Sequence, residues 1–336
     1  MLAFVTKDHS LSAVRKPLPL LRRGWALVRV CLAGICNTDV EILRGYHNFR
    51  GTPGHEFVGE VVDVRGARSH DKKNWLGRRV AGEINIACAA LGFHPPCEFC
   101  RRGLKTRCAR RKVLGILAHD GAFAEFLTLP LKNLHSIPNT VTDEEAVFIE
   151  PLAAACEILA QLRVNTFRTA AVLGDGKLAQ LIAMVLRSTG IPVVMFGKRS
   201  EKLALARRSG IRTSLIRGDA ADLKSRAPKD KFPLVVEATG SPSGLALGIA
   251  LTEPRGTLVL KSTFHGAAPI ESWPIVVNEI TMLGSRCGPF AKAIVLLRAK
   301  LVDPRTLVTR TFPLSEASKA IKFAQKKGVL KVLLKP

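Results

Sequence analysis

The chain has no apolar run approaching the ~18 residues that a membrane-spanning helix needs, which excludes a helical membrane protein. Its first residues, MLAFVTKDHSLSAVRKPLP, lack an apolar segment ahead of a small-residue cleavage site. The last residues, GVLKVLLKP, match neither a prenylation nor a peroxisomal signal. A soluble, cytoplasmic protein with no membrane partner is the expectation. No internal repeat or low-complexity tract interrupts the chain. Acidic residues are scarce: 27 Asp and Glu stand against 51 Lys and Arg, a formal charge of +24 that attracts anions such as nucleotides and acidic metabolites. The basic residues peak locally at Arg101, Arg102, Lys105, Arg107, Arg110, Arg111 and Lys112. With a single tyrosine in the chain and no interleaving of aromatic and basic residues, nucleic acid is disfavoured as the main partner. A solvated basic surface accounts for the charge.

What is present is enough chain for two domains: 336 residues, 47% of them apolar. The first half alternates short apolar segments with Gly/Pro turns, giving candidate strands at Trp25–Ala33, His55–Val64, Arg79–Ile84 and Ala122–Leu129. At Asp143–Leu162 the rhythm becomes helical, with Thr142 as N-cap before an acidic first turn. From Thr169 to Ser262 strands and helices alternate, the βαβ pattern of a parallel, doubly wound sheet. After Ile280 the chain is expected to leave that sheet.

Two clusters carry metal-grade side chains. Cys36, His55 and Glu56 fall within CNTDVEILRGYHNFRGTPGHEFVGE and supply a thiolate, an imidazole and a carboxylate, the donor types of a catalytic zinc with one open position. The alternative is a strand-end thiol and a hydrogen-bonded histidine. Cys88, Cys97, Cys100 and Cys108 crowd into 21 residues, and without a secretory signal this favours reduced thiols around a structural zinc over disulfides. The flanking Arg and Lys residues would lower the thiol pKa values. A redox pair at Cys97 and Cys100 competes with that reading, and His94, in the long gap after Cys88, could replace one thiol.

The segment Leu173-Gly174-Asp175-Gly176-Lys177-Leu178-Ala179 follows the apolar strand AAVL and opens a helix. This is a dinucleotide turn: Gly174 permits the bend, Gly176 admits a pyrophosphate, and the amides at Lys177 and Leu178 begin the helix N-terminus that faces it. The following strand, IPVVMF, ends in Gly197-Lys198-Arg199-Ser200 with no acid to hold a ribose 2′-hydroxyl. Lys198, Arg199 and Ser200 suit a 2′-phosphate, so NADP is preferred over NAD. The competing reading makes Lys198 and Arg199 two more charges on a basic surface. Ser241 and Arg286 are further candidate cofactor contacts, with capping or surface roles as the alternative.

Together these segments resemble the zinc-dependent medium-chain dehydrogenase/reductase superfamily, in its alcohol, polyol and threonine dehydrogenase branch. The resemblance rests on GICNTD at 34–39, GHEFVGEV at 54–61, the four-cysteine lobe, EPLA at 150–153, LGDGKLA at 173–179 and VVEATGSP at 235–242. It implies an α/β chain with a GroES-like β-barrel catalytic domain at 1–150 and 284–336, bearing a zinc lobe at 88–108, and a Rossmann domain at 151–283. It implies two zinc ions per chain, a catalytic one on Cys36, His55 and either Glu56 or Glu150, and a structural one on the four lobe cysteines. Asp39 matches the carboxylate that orients the zinc-bound histidine. Thr38 matches the hydroxyl that passes on the substrate proton, and Glu41 stands where many relatives carry a relay histidine. The implied activity is reversible hydride transfer between an alcohol of polyol, sugar or hydroxy amino acid type and a nicotinamide cofactor, by a homodimer or homotetramer. The rival classes are a non-catalytic dinucleotide sensor and a basic protein that binds nucleic acid as a side role. Either would leave a full set of metal ligands without a task.

Overall fold

A computed structural model describes residues 1–66, 69–217, 231–263 and 267–336. The chain divides into one unit made of Met1–Glu150, Ala293–Arg298 and Asp303–Pro336, and a second made of Pro151–Lys292 and Ala299–Val302. Among the described residues no helix is long and apolar enough to cross a membrane.

The first unit is organised on the strand Trp25–Gly34, whose Val, Leu and Ala side chains are mostly buried. It pairs antiparallel with Glu56–Arg65, with Phe126–Pro130 and with the C-terminal strand Lys331–Lys335. The sheet runs Leu134–Ser136, Arg79–Gly82, Glu56–Arg65, Trp25–Gly34, Lys331–Lys335, Val308–Pro313. Its register sets Leu333 opposite Gly34 and Gly34 opposite Glu56, so the C-terminal strand and the metal-grade segment stand at one level with only Gly34 between them. A small sheet of Asn85–Ile86, Lys112–Leu114 and Ala118–His119 brackets the cysteine segment.

Three glycines hold the loop before Glu56 in place. Gly54 has φ +98°, and a Cβ there would lie 2.4 Å from the Phe123 ring. A Cβ on Gly115 or Gly121 would come within 2.3 or 2.1 Å of the Gly54 carbonyl oxygen. Backbone therefore packs on backbone, and a short ladder ties the loop down: Gly121 N–H donates to the Thr52 carbonyl (2.7 Å), Ala122 N–H to Gly54 (2.9 Å) and Phe123 N–H to Pro53 (2.9 Å).

The expected cap at Thr142 is present. Its hydroxyl accepts from Glu145 N–H at 3.3 Å, and Glu145 Oε2 accepts from Thr142 N–H at 2.9 Å, satisfying two orphan donors at once. This cap starts the short helix Asp143–Ala146, which leads into the helix Ile149–Gln161 that carries Glu150.

Among the described residues the second unit holds six parallel strands in the order Arg212–Leu215, Val193–Gly197, Ala170–Leu173, Phe232–Glu237, Thr252–Leu260, Thr281–Gly284. In chain sequence this is 3-2-1-4-5-6, the doubly wound order that reverses between the first and fourth strands. Leu173, Val235, Leu247, Leu251 and Leu258 are among its core residues. Sequence periodicity locates the four inner strands but passes over both edges, and the chain does not leave the sheet after Ile280. Arg212–Leu215 and Thr281–Gly284 each pair on one side only and are partly exposed, so few of their residues need to be apolar.

Substituting Thr142→Ala should lower stability by about 1 kcal/mol in a denaturant melt. Gly54→Ala should cost about 3 kcal/mol or more, because the left-handed backbone and the Phe123 contact act together.

Candidate active site

Asp39 lies in the first turn of the helix Asn37–Leu43 and is fully buried. Its Oδ2 accepts from Cys36 N–H at 2.7 Å, and its Oδ1 accepts from Gly54 N–H at 3.2 Å. The same Oδ1 stands 3.3 Å from His55 Nδ1, close enough for attraction although the alignment falls short of a hydrogen bond. One carboxylate thus draws together two chain segments that are far apart in sequence. Cys36, His55 and Glu56 present ligand atoms within 4.8 Å of one another. With Nδ1 turned towards Asp39, Nε2 is the ring nitrogen left for the shared point. Burial alone would push the His55 imidazole down; the Asp39 carboxylate and the Cys36 sulfur outweigh it and hold the pKa well above the ordinary histidine value. A cysteine sulfur, an imidazole and a carboxylate that crowd one buried point are the donor types that a divalent cation of the zinc type takes.

Glu56 has a partner that sequence reading missed. Lys331, 1% exposed, places Nζ on Glu56 Oε2, with the Phe148 ring 5.4 Å from that nitrogen. The signal was visible as a lone lysine inside the apolar run VLKVLL. Gly34 makes room for the pair, since a Cβ there would stand 2.5 Å from Glu56 Oε2. Glu150, at the start of its helix in the same unit, lies outside the group whose ligand atoms share the 4.8 Å radius. The Thr38 hydroxyl is 3.8 Å from Cys36 Sγ, and the Glu41 carboxylate accepts from Arg44 at 2.8 Å.

The four lobe cysteines converge as a second group within 4.8 Å. Cys88 and Cys108 sulfurs are 3.5 Å apart and Cys97 and Cys108 sulfurs 3.8 Å, too far for a disulfide. Thiolates around a tetrahedral zinc at ~2.3 Å would stand about 3.8 Å from one another, so the group fits that ion. His94 is exposed and takes no part in the cluster. Backbone N–H groups of Cys100 and Ala109 hold the Cys97 thiol down at about 6, whereas burial pushes Cys100 up to about 12. The leading cause of the lowering at Cys97 is backbone amides, not the flanking arginines and lysines that the sequence suggested.

In the second unit, Gly174 sits at the point where strand order reverses. Its φ is +115°, and a Cβ there would stand 2.6 Å from the Ala238 carbonyl oxygen at the end of the fourth strand. Gly176, the N-cap of the helix Lys177–Arg187, has an ordinary φ of −73° and would place a Cβ in open space. The fold requires the first glycine but not the second, and a bare backbone facing open space at a helix N-terminus is a cradle for phosphate. Lys177 and Leu178 open that helix, half-buried. Ser241 caps the helix Pro242–Leu251, accepting from Gly244 N–H at 3.3 Å, and the Arg286 carbonyl accepts from Lys261 Nζ at 2.9 Å. Gly197 ends the second strand, and Lys198, Arg199 and Ser200 are exposed beyond it. An acid does stand there, supplied by another segment: Asp175 Oδ2 accepts from Lys198 N–H at 2.8 Å and Arg199 N–H at 2.9 Å. Its residue lies inside the glycine turn, where sequence spacing from the strand end gives no warning.

Comparison with known proteins agrees with this architecture. Residues 22–139 match the family model "Alcohol dehydrogenase GroES-like domain", and residues 178–298 match "Zinc-binding dehydrogenase". The chain is 30% identical to the starvation-sensing protein RspB of Escherichia coli K12, over 98% of this chain and 97% of that one. It is 28% identical to a sorbitol dehydrogenase of Halalkalibacterium halodurans, over 100% and 99% of the two chains. Among solved structures, an alcohol dehydrogenase (rspB) of Escherichia coli CFT073 in complex with NADH superposes with a TM-score of 0.90 at 28% identity, covering 100% and 99% of the chains. The fold, the two matched domains and the full-length relatives together place this chain in the zinc-dependent medium-chain dehydrogenase/reductase superfamily, as an alcohol oxidoreductase.

Proposed function

We propose that the chain is a zinc-dependent dehydrogenase that interconverts a primary or secondary alcohol of a polyol, sugar or hydroxy amino acid with its carbonyl compound, with NADP as the preferred dinucleotide. The observation that carries this reading is the convergence of Cys36, His55 and Glu56 on one buried point organised by Asp39. The likeness to a full-length sorbitol dehydrogenase supports the polyol class. When bound, zinc supplies Lewis-acid polarisation of a hydroxyl or carbonyl group and the nicotinamide supplies the hydride acceptor or donor.

In this reading the first unit carries the metal chemistry and the second the dinucleotide. Cys36, His55 and a glutamate would hold the catalytic ion. Glu56 is the carboxylate within the cluster, with Lys331 offsetting part of its charge, and Glu150 would be the alternative ligand. Asp39 keeps the His55 ring in one orientation and raises its basicity as a ligand. Thr38, with its hydroxyl beside the Cys36 sulfur, takes the substrate proton, and Glu41, paired with Arg44, receives it on the way to solvent. Cys88, Cys97, Cys100 and Cys108 would hold a second, structural ion that ties down a segment poor in apolar burial. Gly174, Gly176, Lys177 and Leu178 would hold the pyrophosphate and Lys198, Arg199 and Ser200 the 2′-phosphate, with Ser241 and Arg286 as outer members of that site. Assembly as a homodimer or homotetramer belongs to the same reading and rests on the family alone.

Metal analysis of the purified protein should find two zinc ions per chain, one lost in Cys36→Ser and the other in Cys97→Ser. Asp39→Asn should weaken the catalytic zinc about 10–100-fold in a chelator competition. A fluorescence titration should find NADPH bound more tightly than NADH, and Gly176→Ala should weaken both while leaving the melting temperature unchanged. A protein that holds no zinc, oxidises no polyol and reduces no ketose across a panel of both would overturn the assignment.

A further inference from the structure

We infer that Asp175 is a selectivity residue for the dinucleotide, one that offsets the preference for a 2′-phosphate set by Lys198 and Arg199. The inference rests on the dinucleotide reading above. In a doubly wound sheet, an acid at the end of the second strand receives the ribose hydroxyls, and its charge repels a 2′-phosphate. The second strand here ends in Gly197-Lys198-Arg199-Ser200, without an acid of its own. The glycine turn supplies one from the neighbouring strand. Asp175 Oδ2 accepts from the backbone N–H groups of Lys198 and Arg199 at 2.8 and 2.9 Å, which puts the carboxylate at the strand end itself. Gly197 permits the approach, since a Cβ there would lie 2.7 Å from Asp175 Cβ and 2.8 Å from its Oδ2.

Two consequences follow from this arrangement. The amides of residues 198 and 199 are already spent on Asp175, so they are not donors for a phosphate; the exposed side chains of Lys198 and Arg199 remain for one, while the Ser200 hydroxyl donates to Glu201 at 3.4 Å. A carboxylate with two oxygens also keeps acceptor capacity for a ribose hydroxyl. The half-buried carboxylate therefore favours the unphosphorylated ribose, the two exposed cations favour the phosphorylated one, and the chain accepts both cofactors.

The test is the affinity of the whole protein for NADPH and NADH, titrated at one fixed salt concentration, in wild type and in Asp175→Asn. Asparagine keeps an acceptor for the two amides and removes the charge. The wild type is expected to favour NADPH by less than about tenfold, and the variant to tighten NADPH about tenfold relative to NADH. Lys198→Met should move the ratio the opposite way. Asp175→Ser, shorter and neutral, gives the same comparison if the asparagine variant does not fold. If neutral variants that melt like wild type leave the NADPH:NADH ratio unchanged, Asp175 is only a brace for the loop and the inference is wrong. If the wild type binds neither cofactor, the dinucleotide reading itself fails, and this inference with it.

Discussion

The Asp39 carboxylate is the constraint on which the metal-grade centre depends. Placed in the first turn of its own helix, it would ordinarily satisfy one local N–H group and face water. Here it is fully buried and takes two backbone N–H groups, from Cys36 and from Gly54, while it attracts the His55 ring. Those contacts fix the separation of a thiol and an imidazole whose residues precede different elements, the helix Asn37–Leu43 and the strand Glu56–Arg65. A buried carboxylate is tolerable only with such partners, because desolvation without them would neutralise it. The raised basicity of His55 is the same interaction seen from the imidazole side.

Acidic residues are few in this chain, and several of the buried ones are structural organisers. Asp39, Glu56, Glu145 and Glu237 are each at most 2% exposed. Glu56 is met by buried Lys331, Glu145 closes the cap of Thr142, and Glu237 accepts from Thr239 N–H and from the Ser262 hydroxyl at the end of the fourth parallel strand. Each is neutralised or hydrogen-bonded by groups from its own segment or from an element packed close by. Among the described residues Lys261 and Lys331 are the buried lysines and no arginine is buried, so the surplus of positive charge is carried by the surface, where Lys and Arg are solvated.

Glycines divide in a comparable way between fold and site. Gly54 and Gly174 sit at positive φ against backbone or aromatic atoms, so their lack of a side chain is needed for the chain to close on itself. Gly176 has no such neighbour, and its bare backbone faces outward at a helix N-terminus. Sequence pattern treats the two glycines of the turn alike; only coordinates separate a glycine that folding requires from one that a bound phosphate would use.

Much of the molecule was legible in the amino-acid order, because its signals are local. The N-cap at Thr142, the strand–turn–helix around Gly174, the inner parallel strands and both metal-grade clusters follow from spacing and periodicity over a few residues. The edge strands Arg212–Leu215 and Thr281–Gly284 escaped, since a strand paired on one side does not need a continuous apolar face. Lys331 against Glu56 and Asp175 against the amides of residues 198 and 199 escaped for a different reason. Residues 56 and 331 meet across Gly34 of the strand that lies between theirs, and residues 175 and 198 meet because parallel neighbours end at the same level of the sheet. The amino-acid order alone therefore determined which elements form and which donor types exist. Tertiary structure decided which charges meet, because electrostatic pairing depends on distance through space, and distance along the chain does not report it.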